Sequence, residues 1–290
     1  MTDYRIATSL AAAALAALVA GNAGAEPALW QVTGGQGTVW LFGSVHLLPE
    51  GGFSVGGDLA KAIDDARRVC MEIDPNANDE AAKTSITLAR AIDPKGRDLF
   101  ELLGPDADRV RAKAADAGVP LDALAPFEPW FAGITVSLMA LQAHGYDVEH
   151  GVEQVIEAAA AKGGKGGCGL ETLDGQLGLL DGLPANLQAE ILTQAIDEAA
   201  DVDELIGPML EAWRAGDEAG LERSLEEDFD GYPELADALI YRRNALWADQ
   251  VSDMLRDGDD VLIVVGAMHL VGDRGLPALL EQRGYKVERR

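Results

Sequence analysis

The sequence predicts an α/β protein with a central, mostly parallel sheet, helices on its faces and large helical insertions. Three observations predict it. Strand-like segments lie near both ends of the chain, and helical periodicity fills the span between them. Residues 39–73 read as strand, helix, strand, the order that builds a parallel unit. Strands at both ends with helices between them also place residues 26–290 in one domain rather than two in tandem. The helical insertions fall at about 79–162 and 174–256.

Taken in order, residues 29–32 and 38–42 flank the glycine-rich stretch 33–37, a hairpin pattern. Gly43-Ser44-Val45-His46 ends the second strand. Residues 58–68 have helical spacing, with Leu59, Ile63 and Ala66 on one face, and residues 69–73 return to a strand. Helical periods follow at 80–92, 106–117, 131–144 and 152–162, punctuated by Pro120, Pro126 and Pro129. The glycine-rich residues 163–169 read as a tight connection into a strand ending at Leu170-Glu171. In the second helical block, residues 235–255 form the longest element, with no proline or glycine inside it. Residues 260–265 are a near-continuous apolar strand, of the kind buried on both faces. A short helix at 275–282 and an edge strand at 284–288 close the chain. Trp130, Trp213 and Trp247 fall on helical patterns and are expected in the core.

A chain of 290 residues with 48% hydrophobic and 25% charged residues buries a core without staples. Its 49 acidic against 23 basic residues give a formal charge of −26. That surface repels phosphate backbones, so nucleic acid is not an expected partner. Residues 1–25 read as a secretory signal: Arg5, an apolar run over 6–20, then Ala23-Gly24-Ala25 as a cleavage site. The run is about 15 residues, short of the roughly 20 a spanning helix needs. No later segment is long and apolar enough to span, so the expected protein is periplasmic, without an integral membrane segment after cleavage. Export permits a disulfide. Cys70 and Cys168 each precede a strand-end glutamate, and a bond between them is expected if those strands are neighbours. It would close a loop of about 98 residues, worth ~4 kcal/mol in the entropy model.

The chemistry-bearing signal is a matched pair of turns, each an apolar strand, then Gly-x-x-His, then Leu. They are Gly43-Ser44-Val45-His46-Leu47 and Gly266-Ala267-Met268-His269-Leu270. In open α/β sheets ligands sit beyond the carboxyl ends of the strands, where both histidines fall. A single histidine there is usually structural, but the repeated construction points both at one crevice. Glu72 and Glu171 also end strands. Two histidines with one or two carboxylates can hold a divalent cation, although no compact metal motif is present. Arg243 reads as an anion partner, an orienting partner for a site carboxylate, or a surface ion pair. His144 and His150 each precede a glycine and read as helix-end residues rather than ligands.

Together these motifs resemble the TraB/GumN family, which includes the Tiki-type proteases of animals. The resemblance rests on Trp40-Leu41-Phe42-Gly43-Ser44-Val45-His46, Met71-Glu72-Ile73-Asp74, Pro129-Trp130 and Gly151-Val152-Glu153. It continues through Leu170-Glu171-Thr172 with Gln176, Arg243-Asn244 and Gly266-Ala267-Met268-His269-Leu270-Val271-Gly272, nearly the whole chain. At Glu153 the family more often shows an aspartate. The resemblance implies a core related to erythromycin esterase (EreA) and ChaN-like folds. It also implies a metal-dependent hydrolase site at His46, Glu72, Glu171 and His269, with Arg243 nearby.

The expected function is a metal-dependent, peptidase-like hydrolase of amide or ester bonds, acting on a peptide or small-molecule substrate with Mn, Co or Zn. Glu72 or Glu171 would take a proton from metal-bound water, and Arg243 would stabilise developing charge. Two rivals stand beside it: a metal-free hydrolase using His/Glu acid–base chemistry, and a non-catalytic protein that binds a peptide or small ligand.

Overall fold

The computed structural model describes residues 26–290; the expected signal at 1–25 lies outside the described residues. Six strands form one sheet: β1 (Leu29–Thr33), β2 (Val39–Ser44), β3 (Arg68–Ile73), β4 (Gly166–Glu171), β5 (Val261–Gly266) and β6 (Lys286–Arg289). Their spatial order is β4-β3-β5-β2-β1-β6. The four neighbours β4, β3, β5 and β2 run parallel, while β1 is antiparallel to β2 and β6 antiparallel to β1. The fold is thus α/β, with a mixed and mostly parallel sheet. Among the described residues no helix is long and apolar enough to cross a membrane.

The unbroken apolar run of β5 follows from its central place, because both of its faces are covered. Leu262 and Val264 join one core with Trp40 and Phe42 of β2. Over that core lie the helices Gly57–Asp65, Val152–Lys162 and Val202–Ala215. Val261, Ile263 and Val265 face the other core, roofed by the helices Arg242–Asp257 and Leu276–Gln282. Trp130, Trp213 and Trp247 are each fully buried, as their spacing predicted. A third core forms away from the sheet, where the helix Pro129–Ala143 packs on Ala185–Glu198 through Val136, Leu192 and Ile196.

Two elements differ from the sequence reading. The glycine run is not only a connection: β4 begins at Gly166 and includes Gly167 and Gly169. The chain leaving β3 passes so close that a Cβ on residue 169 would lie 2.4 Å from the Asp74 nitrogen, so that strand position requires glycine. The long late helix is also not uniform. It runs as Pro233–Ala236, then a π-helical turn Asp237–Tyr241, then Arg242–Asp257. A π turn shifts the register within an otherwise unbroken apolar pattern, which periodicity does not reveal. Cys70 and Cys168 face each other in the β3–β4 register, 4.4 Å apart at Cα, and are bonded.

Candidate functional site

The sheet order brings the carboxyl ends of four parallel strands together. Ser44 pairs with Gly266, Met71 with Val264, and Ile73 with Glu171. His46 follows β2, His269 lies in the 3₁₀ turn Ala267–Leu270 after β5, and Glu72 and Glu171 lie at the ends of β3 and β4. The space above Gly266 locates their meeting point. A Cβ there would lie 3.4 Å from Glu72 Oε1, 3.6 Å from His269 Cδ2 and 4.0 Å from His46 Nε2. The two Gly-x-x-His turns therefore share one crevice.

Arg243, from the helix above, sits at the centre of this group. Its Nη2 lies 2.5 Å from Glu72 Oε2 and also contacts Glu171 Oε1. Its Nε donates to Glu171 Oε1 at 3.0 Å. Its Nη1 donates to the Leu239 carbonyl in the π turn at 2.8 Å and faces His269 Nε2 at 3.0 Å. A guanidinium has five N–H groups, and these contacts use all of them. Arg243 is therefore the orienting partner of two carboxylates, with no N–H left for a substrate. Gln176 Nε2 bridges the same pair, donating to Glu72 Oε2 at 2.9 Å and Glu171 Oε1 at 3.1 Å. Glu72 Oε1 accepts the Gly266 N–H at 2.8 Å. Trp247 packs beneath, 4.6 Å from the guanidinium and 4.5 Å from the His269 ring.

The two histidines differ in state. His269 is 4% exposed. Asn244 Nδ2 donates to the carbonyls of His269 and Arg274, so its Oδ1 faces His269 Nδ1 at 2.6 Å. That fixes the proton on Nδ1 and turns the Nε2 lone pair towards Arg243, which can only donate. Burial, helped by the charges of Arg243 and His46, lowers its pKa to about 3 against the pull of Glu72, so the ring is neutral. Burial would raise Glu72, but attraction to charged His269, to Arg243 and to His46, with the Gly266 N–H, brings it to about 2. Because His269 is neutral near pH 7, Arg243, with His46 behind it, supplies the charge that holds Glu72 ionised there.

His46 stands at the open side of the crevice floor, with 60% of its side chain exposed. Its Nδ1 lies 2.6 Å from Glu153 Oε1. This is an ion-pair contact rather than an aligned hydrogen bond, since that oxygen and the buried Ser44 hydroxyl have no hydrogen-bond partner of good geometry. Burial would lower the His46 pKa, but the contact and charge of Glu153, with the charge of Glu72, raise it to about 9. Crevice water screens Glu72 more than the touching Glu153, so the upward direction rests on Glu153.

Glu153 is the site residue that periodicity missed. Its only signal is the Gly151-Val152-Glu153 motif, whose local logic is now visible. The helix Val152–Lys162 starts against the first turn: Val152 N–H donates to the Val45 carbonyl at 3.1 Å, and Gly151 lies on His46. A Cβ on residue 151 would sit 2.2 Å from the His46 oxygen. Gly151→Ala should therefore destabilise the protein by about 1–3 kcal/mol and displace Glu153 from His46. A denaturant midpoint equal to wild type would contradict this.

A cavity of about 720 Å³ opens onto these groups, floored by His46, Glu72, Arg243, Gly266 and His269 and walled by the helical insertions. A divalent cation needs lone pairs aimed at one shared point. Here the His269 Nε2 lone pair and both Glu72 oxygens already face donors. Among the described residues no three His, Cys, Asp or Glu side chains converge as a metal cage. To hold a metal here, His269 Nε2 would have to turn away from Arg243, and Glu72 would have to use the lone pairs left free by Arg243 and the Gly266 N–H. His144 pairs with Asp203 at 3.0 Å and lies outside the group, as does His150 at the end of a short turn.

No curated protein and no solved structure matches this chain. A family model does, described as the TraB/PrgY/gumN family, and it spans residues 28–289. That span takes in every strand of the sheet and every residue of the crevice, so the chain belongs to the TraB/PrgY/gumN family.

Proposed function

We propose that this protein hydrolyses an amide or ester bond of a peptide or small-molecule substrate, with His46 as the proton donor and Glu153 as its orienting carboxylate. The observation that carries this reading is the His46–Glu153 contact of 2.6 Å, at the floor of a cavity large enough for a small substrate. An imidazolium with a pKa near 9 holds its proton at neutral pH. Water adds its oxygen to the carbonyl carbon, and the C–N or C–O bond breaks. The leaving atom takes the proton from His46 Nε2, and the proton lost by water restores it. Glu72, ionised throughout this range, faces the open space above Gly266 and orients the water as an acceptor. Arg243 holds Glu72 and Glu171 in place and does not touch the substrate.

The pH profile tests the assignment. kcat/KM should fall as pH rises through about 9, as His46 loses its proton. In Glu153→Gln the charge that raises His46 is gone, so the falling limb should move towards the ordinary histidine value of 6.5. A rate that instead rises through that range would make His46 a base and refute the donor role.

A metal-dependent reading keeps one supporting observation. Three carboxylates (Glu72, Glu153 and Glu171) face two cations (Arg243 and His46), which leaves an excess negative charge in the crevice. Adding Mn, Co or Zn at His46, His269, Glu72 and Glu171 would require His269 Nε2 to turn away from Arg243. Full activity in a chelator supports the acid–base reading; loss restored by one of these ions would replace it. An exported, periplasmic location remains part of the proposal, supported by the leader pattern and by the Cys70–Cys168 bond.

A further inference from the structure

β4 carries Glu171 to Arg243 on an intrinsically weak strand. Among the described residues it is an outer strand of the sheet, with β3 as its only strand partner. Its sequence is Gly-Gly-Cys-Gly-Leu-Glu, and only Leu170 is buried. Each glycine in a strand costs roughly 0.5–1 kcal/mol relative to alanine and offers no cross-strand side-chain pair. Outer strands with few buried contacts open first. Glu171 nonetheless has to meet the guanidinium that also holds Glu72. Two features tie down this strand end. Gln250 Nε2 donates to the Leu170 carbonyl at 2.9 Å. Cys168 is bonded to Cys70 directly opposite it on β3. Cys70 is fully buried and lies two residues before Glu72, while Cys168 lies three before Glu171. The cross-link thus joins the two strands just upstream of the two carboxylates that share Arg243.

We infer that the Cys70–Cys168 bond is a positioning element for Glu171. It fixes β4 against β3 so that both carboxylates reach one guanidinium. Reduction releases Glu171 while Glu72, on an internal strand, stays. A dithiol supplies the two electrons and two protons, the S–S bond becomes two thiols, and the dithiol leaves as its cyclic disulfide. The inference stands on the geometry around Arg243 and holds whether or not the site hydrolyses anything.

Thermal unfolding tests it without a substrate. Glu171→Gln and Glu72→Gln are each made in the native protein and in Cys70→Ala/Cys168→Ala. In the background without the bond, Glu171→Gln should lose at least half of its effect on Tm, while Glu72→Gln keeps its own. An unchanged Glu171→Gln effect overturns the inference. So does an equal shrinkage of both effects, which would mean that the bond serves the sheet as a whole. Should the double cysteine variant fail to fold, amide exchange on the native protein with and without dithiol decides. Faster exchange confined to residues 166–171 supports the inference; equal acceleration over 69–73, or global unfolding, overturns it.

Discussion

Arg243→Met should be the most destabilising single substitution in the crevice, costing about 3–5 kcal/mol at pH 7. Arg243, Glu72 and Glu171 expose only 10%, 12% and 18% of their side chains. Removing the guanidinium leaves two carboxylates side by side, with only Gln176 and the Gly266 N–H to serve them. The sign of the pH dependence makes the prediction specific. The pKa of Glu72 in the folded protein is about 2, below its ordinary value of 4.5. Its pairing therefore contributes stability that is present above about 4.5 and is lost as pH falls from there to about 2. Without Arg243 the buried carboxylates favour their protonated forms, so the penalty shrinks in acid. Tm should fall far more at pH 7 than at pH 4, relative to wild type at each pH. Equal losses at both values would mean that Arg243 acts by packing on Trp247 and not by charge.

His46→Ala should have the opposite signature. The ring is mostly exposed, so its pairing with Glu153 should contribute less stability than Arg243 does, with the loss in His46→Ala largest below about pH 6.5 and gone above about pH 9. As the proton donor its loss should lower kcat/KM by about 10²- to 10⁴-fold. His269→Ala should cost stability as well, because it removes the partner of both Asn244 and Arg243 from a buried position. A His46→Ala protein with near-wild-type activity would eliminate this histidine as the donor. The pair of variants thus separates two turns that look alike in sequence.

That likeness shows how far local pattern reaches. The apolar runs of β2 and β5 could be read directly, because a strand covered on both faces has to be hydrophobic throughout. Glycine and histidine after each run marked the strand ends, and Glu72 and Glu171 were visible in the same way. The asymmetry between the histidines was not. It depends on what covers each ring: Asn244 and Trp247 over His269, and Glu153 beside an open His46. Glu153 reads locally as the first turn of an amphipathic helix. Its place beside His46 arises from the contact of Gly151 with the His46 carbonyl, between segments about 100 residues apart. The π turn escaped for a related reason. One extra residue in the turn leaves the apolar pattern intact while it presents the Leu239 carbonyl to Arg243. The strand ending at Glu171 was legible, but its start at Gly166 was not, because glycine has little strand propensity; Gly169 answers instead to the passing Asp74 backbone.

The most direct test is an NMR titration of the His46 ring in the wild-type protein and in Glu153→Gln. The account predicts an imidazolium at pH 7 that loses its proton near pH 9, with the midpoint moving down once Glu153 is neutral. A wild-type midpoint at or below 6.5 would show that Glu153 does not hold the proton on His46, and the donor role would fall with it.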